Sequence, residues 1–224
     1  MNSPVIRWEK AISEILPESR IGIFTAMARV MDSGKEIRQL SDTVAKRIRA
    51  NYSVEDIRSI ELINQTRNAY RKTGKDPARY RPSAEALCRR IAGGKSLYPV
   101  SNIVDLLNLI SVESGFSIGG YDRERIEGEI SVGIGKENEV YGAIGRGNLN
   151  IAGLPVLRDN RGAFGSPTSD SVRTRITGLT TEFMMVFFDF EGRGPVEETL
   201  QKSAAYFSAF SEAKDIFTTV LKCS

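Results

Sequence analysis

Ser101-Asn-Ile-Val-Asp-Leu-Leu-Asn-Leu-Ile-Ser-Val-Glu-Ser-Gly-Phe-Ser-Ile-Gly-Gly-Tyr-Asp122 is where this chain changes character. Up to Ser114, the apolar residues Ile103, Val104, Leu106, Leu107, Leu109 and Ile110 crowd a helical repeat. Asn102, Asp105 and Asn108 form one narrow polar stripe along it. The spacing predicts a mostly buried helix over 101–114. Its stripe has two readings: a solvent face, or two amides and a carboxylate lining an internal polar pocket. Lys, Arg and Glu are missing from the stripe until Glu113, which favours the pocket. After Gly115 glycines follow in close succession, and paired Gly119-Gly120 lets the backbone approach a ligand or another segment closely. Asp122 either caps the next turn or joins a polar site.

Working upstream, the first third is rich in helical patterns. Ile23–Val30 suits a short buried strand, Lys35–Ala50 an amphipathic helix, and Val54–Lys72 a second helix opened by a capping box at Ser53-Val-Glu-Asp56. Gly74 ends that helix, Lys75–Arg81 is a basic connector, and Pro82-Ser83 opens a short helix that stops at Gly93-Gly94. Downstream, strands are expected at 130–132, 139–141, 143–144, 154–157 and 173–176. Phe183-Met-Met-Val-Phe-Phe188 is a continuous apolar run, suited to a strand covered on both faces. A last helix starts at Pro195 and runs to about Ala213. Helices and strands fall in blocks, so the class is α+β, with a single compact domain over 1–224. Within it, 1–66 reads as an N-terminal α/β part, 67–190 as a core with a glycine-rich mixed β region, and 191–224 as a C-terminal helical part.

The chain has 224 residues, a net charge of +3, two cysteines and no histidine. The missing histidine excludes Ser-His-Asp and Cys-His nucleophiles and the usual catalytic zinc sites. Cys88 and Cys223 make neither a disulfide framework nor a metal cluster. Met1–Lys10 lacks the apolar core of a signal peptide and no run is long enough to span a membrane, so a cytoplasmic location is expected. Charge is uneven. Arg67–Lys95 holds nine bases and two acids, a local +7 that leaves −4 for the remainder. That tract is either a solvated helix face or a grip for an anionic partner such as nucleic acid.

Familiar nucleotide motifs fail here. Gly94-Lys95-Ser96 lacks the earlier glycine of a phosphate loop, Arg89 standing in its place, and it follows a helix. Gly133-Ile-Gly135 reaches Asn138 where the dinucleotide fingerprint needs glycine. No cofactor and no metal is implied. Ser166-Pro-Thr-Ser-Asp-Ser-Val-Arg-Thr-Arg-Ile-Thr177 is dense in hydroxyls, and is either a polar strand edge or part of a site with Asp170 and Thr174 in it.

Taken together, Tyr80-Arg-Pro-Ser-Ala-Glu-Ala-Leu-Cys-Arg-Arg90, Asn102-Ile-Val-Asp105, Asn108, Gly115 to Asp122, and Asp170-Ser171 with Thr174 and Thr177 resemble the B3/B4 domain. This is the editing module of the phenylalanyl-tRNA synthetase β subunit, and it also occurs as free-standing proteins. The resemblance spans about Tyr70 to Asp189, with weaker similarity in the N-terminal third. It implies an α+β fold and a pocket that hydrolyses the ester of mischarged aminoacyl-tRNA. Asn108 matches a pocket asparagine, whereas Leu107 stands for a threonine, Ser117 for a proline and Gly119 for a histidine. Asp189 lies near the place of the family's pocket glutamate. These departures affect which side chain is accepted, whereas ester hydrolysis needs mainly a positioned water and a stabilised oxyanion.

On that resemblance, Asn102, Asn108, Ser117, Asp122 and Thr174 would bind the aminoacyl group. Asp105 or Asp170 would position water, and the amides near Gly119 and Gly120 would hold the oxyanion. Arg71, Lys72, Lys75, Arg79, Arg81, Arg89 and Arg90 would grip the tRNA acceptor end, with neither DNA nor a membrane as partner. Two other readings stand beside this trans-editing hydrolase. One is a non-catalytic module that binds tRNA, other RNA or an amino acid. The other is a hydrolase of free amino-acid esters or amides, which needs no basic tract.

Overall fold

The apolar run at Phe183–Phe188 lies in a strand whose side chains alternate between two separate cores. The structure is a computed structural model that describes residues 5–223; residues 1–4 of the charged N-terminal stretch, and Ser224, lie outside the described residues. In chain order the elements are β1 (Ile6–Trp8), α1 (Lys10–Ile15), β2 (Arg20–Met27), α2 (Lys35–Asn51), α3 (Glu61–Lys72), α4 (Ser83–Ala92), α5 (Asn102–Ser114) and β3 (Ile118–Asp122). Then follow β4 (Ile130–Ile134), β5 (Gly142–Ala143), β6 (Gly147–Asn148), β7 (Pro155–Asp159), β8 (Gly162–Gly165), β9 (Glu182–Asp189), α6 (Val196–Ser211) and β10 (Lys214–Lys222).

The main sheet has the order β10-β2-β9-β3 and is antiparallel throughout. A second sheet has the order β1-β4-β7-β8, with β1 parallel to β4 and the rest antiparallel. Phe183, Met185 and Phe187 of β9, with Phe24 and Ala26 of β2, face α2, α4, α5 and α6. Met184, Val186 and Phe188, with Ile21 and Ile23, face the second sheet and α1. The layers are therefore helices, sheet, sheet, and the fold is α+β. No helix among the described residues is long and apolar enough to cross a membrane.

The helix over 101–114 forms as its pattern predicts. Ser101 Oγ accepts from Val104 N–H at 3.4 Å, and Gly115 closes the helix in the left-handed conformation at φ 82°. The helix expected over 54–72 is interrupted. Asp56 and Ser53 do cap one another, the Asp56 carboxylate accepting from Ser53 N–H at 3.0 Å and Asp56 N–H donating to Ser53 Oγ at 3.3 Å. They open only a 3-10 turn at Asp56–Ser59, and Ile60 then turns to ψ 125° before α3 begins. A Cβ on Gly115 would lie 3.2 Å from Ile60 Cγ2, so the break seats Ile60 against the end of α5.

Strand expectations fail where glycine or helix pattern masks the alternation. Residues 139–141 and 173–176 are irregular, whereas Ile118–Asp122, Gly162–Gly165 and Lys214–Lys222 are strands. The part over 191–224 is thus helical only through Ser211. Glu212 at φ 53° turns the chain, and Asp215 at φ 50° sits in a bulge that lets β10 return along β2.

Phe187 is fully buried between β9 and the helices. Truncation to alanine should lower the unfolding free energy by about 3–5 kcal/mol, read from the denaturant midpoint at unchanged slope.

Candidate functional site

β3 is an edge strand of the main sheet, and its open side is covered by the segment from Asp170 to Thr174. Gly120 N–H donates to Asp170 Oδ2 at 3.0 Å, and Asp122 N–H donates to the Thr174 carbonyl at 2.8 Å. Edge donors are satisfied this way without a further strand. Gly119 and Gly120 are required by close approaches on opposite faces. A Cβ on Gly120 would fall 2.5 Å from Leu107 Cδ1 of α5, and one on Gly119 would fall 1.8 Å from Tyr121 Oη and 2.9 Å from Asp170 Oδ1. Tyr121 folds back beneath Gly119, and its hydroxyl also fills the space of a side chain at Gly165, where a Cβ would lie 2.2 Å away.

Asp170 is the unusual group. Burial pushes its carboxyl up to about 7, against the opposing pull of Gly120 N–H and the Tyr121 hydroxyl. Its Oδ1 is shut off from solvent without a hydrogen-bond partner, as is Tyr121 Oη. Neighbouring phenols hold the adjoining chain: Tyr141 donates to the Ser169 carbonyl at 2.6 Å, and Tyr70 shares a hydrogen bond with Thr168 Oγ1 at 2.8 Å. A neutral-range carboxyl on a rigid support suits proton exchange with a bound water.

The other anticipated site residues are dispersed. Asn102 is buried and ties α5 to the chain after β2, accepting from Met31 N–H at 3.0 Å and donating to the Arg29 carbonyl at 3.0 Å. Asp105 accepts from the Ser33 hydroxyl at 2.5 Å and from Val100 N–H at 2.9 Å. Asp105 and Asn108 together line a cleft of about 220 Å³ between α2, α5 and the Ser96–Pro99 loop. No residue of β3 or of the Asp170 segment lines that cleft, which lies in the helical layer.

Ser117 is buried with its Oγ unpartnered, and its carbonyl accepts from Phe188 N–H. Asp122 takes the capping role, accepting from Glu124 N–H at 3.1 Å and from the Thr180 hydroxyl at 2.8 Å. Thr174 is fully buried, its hydroxyl on the Phe164 carbonyl at 3.5 Å. Asp189 is paired with Arg20 at 2.7 Å, away from Asp170. The oxyanion role anticipated for Gly119 and Gly120 is altered, because Gly120 N–H already serves Asp170 and Gly119 is buried with the Tyr121 hydroxyl packed against it.

The basic tract divides in the same way. Arg71, Lys72, Arg79 and Arg81 are exposed. Lys75 is buried, its ammonium on the carbonyls of Asn150 at 2.7 Å and Ala152 at 2.8 Å. Arg89 donates to the Val54 carbonyl and Arg90 to that of Ser96, so both are held by the fold. Arg67 is buried in an ion pair with Glu85 at 2.7 Å.

With this geometry in place, residues 65–214 match the family model described as the B3/4 domain. The chain belongs to the B3/4 domain family. No curated protein sequence matches it. Among solved structures it is similar to an N-terminal fragment of the phenylalanyl-tRNA synthetase β-subunit from Pyrococcus horikoshii, at 12% identity and a TM-score of 0.49. The superposition covers 98% of this chain and 54% of that one, so this B3/4 protein spans about half of the fragment's length.

Tyr121 was absent from the residues singled out by sequence. Its signal was there: on a strand, Gly119 and Tyr121 share a face, so a phenol next to a missing side chain is a close-packed pair. Glycines at Gly119 and Gly120 hid the strand itself.

The raised Asp170 pKa has a definite effect on stability. Its unfolded value is about 3.8 and its folded value about 7, so between those pH values the native state binds the additional proton. The Asp170 contribution to stability is fully present below pH ~4 and falls as pH rises to ~7. Asp170→Asn keeps an acceptor for Gly120 N–H and removes the titration. The difference in unfolding free energy between wild type and this variant should therefore change across pH 4–7 in favour of the variant, and level off above it.

Proposed function

We propose that this B3/4 protein binds the acylated acceptor end of tRNA and hydrolyses the aminoacyl ester of mischarged molecules in trans. The observation that carries this reading is the Asp170 carboxyl, raised to about 7 and fixed on Gly120 N–H beside the edge of β3. In the proposed reaction Asp170 carboxylate takes a proton from water as the water oxygen attacks the ester carbonyl. The tetrahedral oxyanion then collapses, and the ribose oxygen leaves with the proton returned by Asp170. The products are the free amino acid and the terminal hydroxyl. A group half ionised near neutral pH serves both proton transfers. Exposed Arg71, Lys72, Arg79 and Arg81, from the last turn of α3 and the connector after it, supply contacts for acceptor phosphates.

A second reading is favoured by one observation, the separate cleft at Asp105 and Asn108. There Asp42 and Asp105 offer carboxylates to an ammonium group, and Ile37, Leu97 and Tyr98 offer apolar wall. A module that holds an aminoacyl group in that cleft without hydrolysing it would leave Asp170 as an edge cap only.

The test is amino-acid release from a panel of mischarged tRNAs with catalytic amounts of protein. Multiple turnovers on one or a few pairs are expected, and Asp170→Asn should lower kcat about 100-fold or more. No release, with tRNA retained at moderate salt and lost on Asn108→Ala, supports the binding module instead. Charge reversal of Arg71, Lys72 and Arg79 should weaken tRNA binding and flatten its salt dependence by roughly 0.7–0.9 per lost phosphate contact. Full activity on tRNA esters after that reversal contradicts the role of the basic tract.

A further inference from the structure

We infer that Tyr121 is the positioning residue of the Asp170 centre: its hydroxyl, admitted between the backbones of β3 and β8 by Gly119 and Gly165, holds Oδ1 of Asp170 and leaves the Oδ2 side for proton exchange. The catalytic consequence rests on the Asp170 reading above, whereas the contact itself does not.

The geometry is specific. The missing Cβ of Gly119 marks a point 1.8 Å from Tyr121 Oη and 2.9 Å from Asp170 Oδ1, so the two oxygens lie side by side. The missing Cβ of Gly165 is 2.2 Å from the same hydroxyl. Any larger residue at either position would drive the phenol away from the carboxyl. Both oxygens are closed to solvent and neither has a hydrogen-bond partner at the recorded geometry, so each is the nearby group that the other can take up. A buried hydroxyl left unpaired is destabilising, and the carboxyl oxygen adds its own penalty, so pairing the two relieves both. Packing alone does not call for the hydroxyl. The Tyr121 ring sits edge-on to Phe164 at 5.0 Å and 89°, a contact that phenylalanine would make equally well.

The surroundings leave the pair to itself. Burial holds the Tyr121 phenol well above its ordinary range, so it is a neutral donor. Tyr141 faces Asp170 from the chain before β5, but its own hydroxyl is committed to the Ser169 carbonyl. Tyr70 lies behind Tyr141 and is bound to Thr168. Arg173, the nearest cation on the covering segment, is held by Asp159 at 2.8 Å. A donor on Oδ1 favours the ionised carboxyl, so Tyr121 works against burial and keeps Asp170 in the neutral range.

The experiment is a pH titration of the Asp170 carboxyl carbon by NMR in the full chain, assigned with Asp170→Asn. Tyr121→Phe should move the midpoint to higher pH by about half a unit or more. Gly165→Ala, which retains the phenol but displaces it, should move it the same way. Tyr141→Phe should leave it in place, and so should any loss of a phenol that only packs. An unchanged midpoint in Tyr121→Phe overturns the inference. Where deacylation is observed, its pH profile should shift in Tyr121→Phe by the same amount. A wild type that releases no amino acid contradicts the hydrolase reading alone, and the carboxyl titration still decides the role of Tyr121.

Discussion

Two-sided burial of β9 is the constraint on which the rest of this structure depends. Phe183, Met185 and Phe187 require a helical layer on one face, and Met184, Val186 and Phe188 require a second sheet on the other. The two cores are coupled, because both take buried apolar side chains from the same strand. The central position of β9 also fixes β3 beside it, in the register Gly119–Val186 and Gly120–Met185. That register sends Gly120 toward Leu107 and the helices, and Gly119 with Tyr121 toward the second sheet.

From that placement follows the separation between the two polar regions. Asp105 and Asn108 belong to the helical layer, where their cleft opens between α2 and α5. Asp170 and Tyr121 belong to the edge of β3 and the second sheet. Helix periodicity and glycine spacing each mark one of these regions, but a sheet runs between the two faces. The chain thereby has a cleft of about 220 Å³ on one side, and on the other a buried carboxyl of raised proton affinity beside a phenol.

Electrostatics follow the same division between fold and surface. Several cations of the 67–95 tract hold carbonyls or buried carboxylates in place, as Lys75 does for Asn150 and Ala152, and Arg67 for Glu85. The exposed remainder clusters at the end of α3 and in the connector, where Arg71 and Lys72 also oppose the negative end of the helix dipole. A local charge of +7 thus overstates the cations open to a partner.

By itself the sequence determined the class, the amphipathic helices, the cap of α5, the doubly buried β9 and the family resemblance carried by segments from Tyr80 to Thr177. These depend on local periodicity and capping chemistry, which act over one or two turns of chain. It did not disclose β3, β8 or β10, because glycines and half-exposed side chains erase the alternation of an edge strand. Nor did it separate Asn102, a buried tie between loop and helix, from Asn108, which lines a cleft. Tertiary structure alone decided that Asp170 meets Gly120 and Tyr121 across some fifty positions of sequence. The physical reason is that burial and partnership belong to the assembled layers: the proton affinity of Asp170 is set by what the fold packs around it.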